Sequence, residues 1–139
     1  LERYFLRKSQ RLVDDDEFQR VLKHKLFICK GIMRLYAAPN GTDRARFGVS
    51  ASNTCGSAVC RNRLKRLGRE VFRLHQHEIP PGYDYVLIFT QKVPKTNTKG
   101  DLKPDTDEAG RLQYQDIENR FLRMTELLRQ QGGLGESKQ

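Results

Sequence analysis

Apolar positions along this 139-residue chain recur at helical spacing in three stretches and run together or alternate in four others. Phe18, Val21 and Leu22 fall at i, i+3 and i+4. Asp14, Asp15, Asp16 and Glu17 precede them and Lys23, His24 and Lys25 follow, the charge order that complements a helix dipole, so a first helix is predicted over about Asp15 to His24. Short apolar runs over Leu26–Cys29, Met33–Ala38 and Ala45–Ser52 predict strands. The turn residues Pro39-Asn40-Gly41-Thr42-Asp43 lie between the second and third runs and predict that these two form a hairpin. A second helix is predicted over Ser57–Gln76, ending before Pro80-Pro81-Gly82, and Tyr83–Thr90 is a strongly apolar strand. A third helix is predicted over Tyr114–Gln130, with Ile117, Phe121, Met124 and Leu128 on one stripe and Gly132-Gly133 at its end.

The stretch from Pro94 to Arg111 breaks this pattern. It is rich in Lys, Thr, Asp, Gly and Pro and has few groups to bury, which predicts a flexible surface insertion. The remaining pattern and the 16.2 kDa mass fit a single domain over residues 1–131 with a loose tail over 132–139. Apolar residues make up 37%, with seven Phe and five Tyr, enough for a small core and unlike a disordered polycation. No run approaches the roughly 20 apolar residues of a membrane span, and Leu1–Arg11 does not read as a signal peptide, so a soluble, cytoplasmic protein is expected. Cys29, Cys55 and Cys60 form no CxxC pair, consistent with a reducing compartment, and with His75 and His77 they match no common zinc spacing.

Charge changes the picture most. Lys and Arg number 26 against 17 Asp and Glu, a net +9, which points to a polyanionic partner. More than half of the excess sits in residues 61–73, where Arg61, Arg63, Lys65, Arg66, Arg69 and Arg73 face only Glu70. Projected at ~100° per residue from Arg61, the apolar set Cys60, Leu64, Leu67, Val71 and Leu74 falls between about 220° and 300°. Arg61, Lys65, Arg69 and Arg73 fall between about 0° and 120°, and Arg66 and Arg63 extend the cations to about 200°. Like charges at i+4 steps weaken a helix by themselves, whereas a phosphate backbone lying along the face explains them. Asn62 lies in the same face and offers a contact to a base edge or sugar. Phe18, Tyr36 and Phe47 are either a platform for unstacked bases or ordinary core residues. Acid/base or nucleophile clusters are not evident, and the Asp14–Glu17 run is explained by helix capping.

Two motifs then carry a resemblance. The run Phe47-Gly48-Val49-Ser50-Ala51-Ser52, followed by Gly56-Ser57-Ala58-Val59-Cys60-Arg61-Asn62-Arg63-Leu64-Lys65-Arg66-Leu67-Gly68-Arg69-Glu70, resembles the signature of the bacterial ribonuclease P protein component, centred on its RNR motif. Glu17-Phe18-Gln19-Arg20-Val21 is similar to that family's EF-x-x-V segment, and Leu35-Tyr36 and Pro80-Pro81-Gly82-Tyr83-Asp84 fit as well. The resemblance implies an α+β two-layer sandwich of α-β-β-β-α-β-α order, with a central sheet and a left-handed β-α-β crossover. It further implies a subunit that binds the ribonuclease P RNA and the 5′ leader of precursor tRNA. The holoenzyme removes that leader by Mg²⁺-dependent phosphodiester hydrolysis, with the Mg²⁺ held mainly by the RNA and no catalytic or metal-binding residue on the protein. By position, Arg61, Asn62, Arg63, Lys65, Arg66, Arg69 and Arg73 are the expected RNA-binding residues, and Phe18, Leu22, Tyr36, Ser50 and Ser52 the expected leader cleft. Neither membrane nor DNA is an expected partner.

The chain departs from the family pattern at Asn53 and Thr54, where lysine is common, at Leu22, where Phe is frequent, and at Ser57, where Asn is usual. A non-catalytic RNA-binding or ribosomal-type protein using the same basic helix is the competing reading. A DNA-binding regulator fits less well, because six cations and one Asn provide little direct base readout.

Overall fold

The computed structural model describes residues 10–12, 14–91 and 108–132. Its elements are α1 (Asp15–Lys23), β1 (Phe27–Lys30), β2 (Met33–Pro39), β3 (Arg46–Ala51), α2 (Ala58–His75), β4 (Tyr83–Phe89), a single helical turn α3 (Glu108–Arg111) and α4 (Tyr114–Gly132). The fold is α+β, around one mixed four-stranded sheet in the order β1-β2-β4-β3.

Strand pairing corrects one expectation. β2 and β3 do not form a hairpin, because β4 inserts between them, antiparallel to β2 and parallel to β3. The hairpin is β1–β2, closed by the two residues between Lys30 and Met33. Gly31 takes the left-handed φ of 59° at the first of these, a conformation a residue with a Cβ rarely adopts. The Asn40 turn instead sends the chain across an end of the sheet: Asn40 N–H donates to Gly82 carbonyl and Gly82 N–H to Arg44 carbonyl. The parallel pair β3–β4 is joined by α2, as a parallel connection requires.

Alternation along the strands divides the sheet into two faces. Met33, Leu35 and Ala37 of β2, Phe47 of β3 and Tyr85, Leu87 and Phe89 of β4 point to one face. There they meet Leu64, Val71 and Phe72 of α2 and Ile117, Phe121, Met124 and Leu128 of α4 in a fully buried core. Phe47 stacks on Phe72 with ring centroids 4.6 Å apart and meets Phe121 edge-on, so of the two readings open for Phe47, the core is where it lies. Gly68 brings α2 close to the sheet, since a Cβ there would stand 3.2 Å from Leu87 Cδ2. The other face is covered only in part, by α1, whose Val21 is buried with Leu12, Ala38 and Val86.

Residues 92–107, most of the expected insertion, lie outside the described residues, as do residues 133–139 of the expected tail. The last four residues of the insertion are helical, and Ala109 is buried, so the main core begins again before Arg111. Arg120 of α4 pairs with Glu108 against Gly31, which ties this turn to the β1–β2 hairpin.

Candidate nucleic-acid interface

α2 begins where Ser57 accepts a hydrogen bond from Cys60 N–H at 3.3 Å, and no acidic residue occupies its first turn. Its buried sector is wider than its apolar stripe. Phe72 and Gly68 project toward the cations yet are fully buried, while Cys60 and Leu74 are only half-buried. The helix is therefore rotated relative to the sequence projection, because it packs on both the sheet and α4. Asn62, Arg66 and Arg69 are left exposed and Arg61 and Lys65 half-buried. Arg61 Nε donates to Gly56 carbonyl at 3.2 Å, which fixes the guanidinium at the start of the helix. Arg63 donates to Leu112 carbonyl, and Arg73 pairs with Glu70 one turn away. That hydrogen bond from Arg73 holds the Glu70 carboxyl below its usual range. The single acid of the segment thus offsets Arg73 and leaves Arg61, Lys65, Arg66 and Arg69 unbalanced.

The α1 face gathers most of the remaining expected residues. Phe18 and Leu22 of α1, Tyr36 of β2 and Ile88 of β4 surround the small cluster beneath α1. The register places Phe27, Tyr36, Val86 and Gly48 in one row across this face, with Cys29, Arg34, Ile88 and Ser50 in the next. Phe27 stacks on Tyr36 with centroids 5.0 Å apart and planes at 23°, and both rings are half-exposed. The spacing of β1 pointed to no role for Phe27. Only the hairpin register, which pairs it directly with Tyr36, makes the two rings neighbours. Ser52 is not brought to this surface by any contact: its hydroxyl accepts from Thr54 N–H at 3.1 Å and lies 2.9 Å from Thr54 Oγ1, capping the short turn Asn53–Cys55.

One buried charge fixes α1 on the sheet. The Asp84 side chain is completely inaccessible and sits inside an otherwise apolar strand. Arg46 grips it through Nε and Nη2, each at 2.7 Å, Asn40 Nδ2 donates at 2.9 Å, and Arg20 of α1 reaches it from above. Arg46 also reaches Glu17 of α1 at 3.2 Å. The hydrogen bonds it donates to Asp84 and the charges of both acids push the Arg46 pKa up further, so the guanidinium stays charged. The lone acid in the run Tyr83–Phe89 was the available signal for this residue, and it was not among the expected site residues. Asp14 caps α1 by accepting from Asp16 N–H at 3.2 Å, in line with the capping explanation of the acidic run.

Among the described residues, no three His, Cys, Asp or Glu side chains converge to hold a metal ion, and no helix is long and apolar enough to cross a membrane. The family model for Ribonuclease P matches residues 6–108. The chain belongs to the ribonuclease P protein family. It is 40% identical over 84 residues to the ribonuclease P protein component of Shouchella clausii, covering 60% of this chain and 69% of the relative. It is 38% identical over 82 residues to that of Clostridioides difficile, covering 58% and 72%. Among solved structures, the ribonuclease P protein of Thermotoga maritima matches with a TM-score of 0.67 at 26% identity, over 84% of this chain and 96% of that one. The Staphylococcus aureus protein matches with 0.67 at 24% identity, over 86% and 95%. The protein is a subunit of ribonuclease P, an endoribonuclease holoenzyme in which protein assembles with RNA.

Proposed function

We propose that this subunit docks on the ribonuclease P RNA through α2 and holds the 5′ leader of precursor tRNA on the α1 face, in the cytoplasm. The observation that carries this reading is the unbalanced set Arg61, Lys65, Arg66 and Arg69 on a helix whose other side is locked into the core. Guanidinium and ammonium groups carried on a rigid helix can pair with successive phosphates without the backbone having to order at the moment of binding. On the α1 face, the half-exposed Tyr36 and Phe27 rings offer surfaces on which unpaired leader bases stack, and Ser50 lies in the adjacent row. The Arg20–Asp84–Arg46 network keeps α1 at a fixed height above that surface.

In this reading the Mg²⁺ that activates water for phosphodiester hydrolysis is held mainly by the RNA, as the family resemblance implies; among the described residues no three acidic, His or Cys side chains converge. In this division the chain binds and orients, and contributes no catalytic side chain. The test is reconstitution with the cognate RNA subunit. The protein alone leaves precursor tRNA intact, and with the RNA it lowers the Mg²⁺ needed for leader removal. Cleavage that is unchanged across Mg²⁺ concentrations when the protein is added refutes the proposal.

A further inference from the structure

Two of the three free cysteines meet at the start of α2. Cys55 ends the short turn Asn53–Cys55 and is buried in the main core. Cys60, in the first turn of the helix, packs against the same core but is only half-buried. Its side chain folds back over Gly56: a Cβ on that glycine would stand 3.6 Å from Cys60 Cβ and 3.8 Å from Cys60 Sγ. Burial pushes the Cys55 thiol up, and the charge of a Cys60 thiolate pushes it further, outweighing the opposing hydrogen bond from the Thr54 hydroxyl. The two sulfur atoms are therefore near neighbours. Cys29 is on β1, at the opposite edge of the sheet from the strand that leads into this turn.

The glycine between the two thiols also carries a cation. Arg61 Nε donates to Gly56 carbonyl at 3.2 Å, so the same residue sets the position of one of the four unbalanced charges of α2. Gly56 has a φ of 112°, a backbone conformation that residues with a side chain rarely adopt.

We infer that Cys55 and Cys60 form a dithiol modification site, which hydrogen peroxide closes to a disulfide, and that the closed form displaces Gly56 and weakens the hold of Arg61 on RNA. The second half of this inference rests on the proposed binding of RNA by α2. Cys60 is the sulfur that peroxide reaches. Its thiolate attacks one peroxide oxygen, the O–O bond breaks, and the departing hydroxide takes the thiol proton as water, leaving Cys60 as a sulfenic acid. Cys55 is shielded from the oxidant but lies beside the new S–OH group. Its sulfur attacks Cys60 Sγ, the S–O bond breaks, and the second hydroxide leaves with the Cys55 proton as water. Two thiols have lost two electrons and one peroxide has become two waters. A disulfide brings its sulfurs to about 2.05 Å and its Cβ atoms to roughly 3.5–4.5 Å. Gly56 is the backbone that must turn as the bond closes, and its carbonyl is the one Arg61 holds. In a reducing compartment such a pair stays open at rest and closes transiently.

Peptide mapping tests the site, because trypsin cleaves after Arg46 and Arg61 and leaves both thiols on one peptide, residues 47–61, with Cys29 on another. After the reduced full chain is treated with hydrogen peroxide and alkylated in denaturant, the 47–61 peptide is lighter by two hydrogens. It takes no iodoacetamide until dithiothreitol opens it, while Cys29 is alkylated throughout. Oxygen adducts on Cys60 with Cys55 still alkylated, or a link to Cys29, overturn the site. Equilibrium binding to the RNA subunit reads the consequence. Oxidation weakens the wild type roughly threefold to tenfold, the loss of one hydrogen-bonded contact, and dithiothreitol reverses it. Cys60→Ser binds like the reduced wild type with or without peroxide. Equal affinity of the reduced and oxidised wild type, or an undiminished effect of oxidation in Arg61→Ala, overturns the coupling to Arg61. If the reduced protein binds equally well with Arg61 and Arg69 both replaced by alanine, the reading of α2 fails, and the peptide map still decides the thiol pair.

Discussion

Removal of the Asp84 carboxylate is the most direct test of how the α1 face is held. Asp84 is fully inaccessible and answers two guanidinium groups and one amide, so Asp84→Ala leaves Arg46 half-buried beside an empty acceptor. Breaking a buried ion pair from one side costs roughly 3–5 kcal/mol. The two arginines keep 25% and 44% of their side chains exposed, so water recovers part of that loss. The low end, about 3 kcal/mol, is therefore expected, and most of it belongs to Arg46, which holds both bidentate bonds. Arg20 is more exposed and its pair is worth about 0–1 kcal/mol. Urea denaturation at neutral pH is the assay, with an unchanged slope as the sign that only stability moved. A thermal midpoint lower by roughly 10 °C is the matching calorimetric result. A double-mutant cycle with Arg46→Ala should give a coupling of about 1 kcal/mol or more, because the two side chains share two hydrogen bonds. A loss below about 0.5 kcal/mol for Asp84→Ala, the range of an ordinary surface change, refutes the reasoning.

The double variant Arg61→Ala, Arg69→Ala should weaken binding to the RNA subunit and flatten its salt dependence, since each phosphate contact contributes a slope of roughly −0.7 to −0.9; an unchanged slope marks α2 as merely solvated. Tyr36→Ala should cost roughly 1–3 kcal/mol of affinity for precursor tRNA and far less for mature tRNA, measured by equilibrium binding to the holoenzyme, and equal losses argue against a leader surface. His75 joins the end of α2 to α4 through Glu118 at 2.7 Å, with Glu78 at 3.1 Å from its other nitrogen. Burial pulls its pKa down, but the two carboxylates outweigh this and raise it above the usual 6.5. A raised folded value means the stabilisation is complete below about pH 6.5 and fades as pH rises through the folded value. Urea midpoints of the wild type should therefore fall relative to those of His75→Gln as pH is raised through neutrality, and parallel pH profiles contradict the assignment.

The elements that sequence located well are those whose signal is local. α1, α2 and α4 are where apolar spacing and terminal charges put them, and each differs from expectation by at most two residues at an end. The apolar runs of β1 to β4 were likewise visible, and the RNR segment already marked the cation-rich side of α2. Their partners were not visible. Turn residues after β2 indicated a hairpin to β3, yet β4 arrives from more than thirty residues later and takes the place between them, because its apolar side chains on both faces are best buried in the middle of the sheet.

Local pattern alone therefore determined which residues form helices and strands, where the cations gather, and which family the chain resembles. Tertiary structure decided what those residues face. It rotated α2 so that Phe72 is buried beside the cations, turned Arg63 and Arg73 to partners of their own, paired Phe27 with Tyr36 and placed Arg46 and Arg20 around Asp84. The reason is physical: periodicity is set by the backbone within a few residues, whereas the direction of burial and the partner of a charge depend on residues far away in the chain.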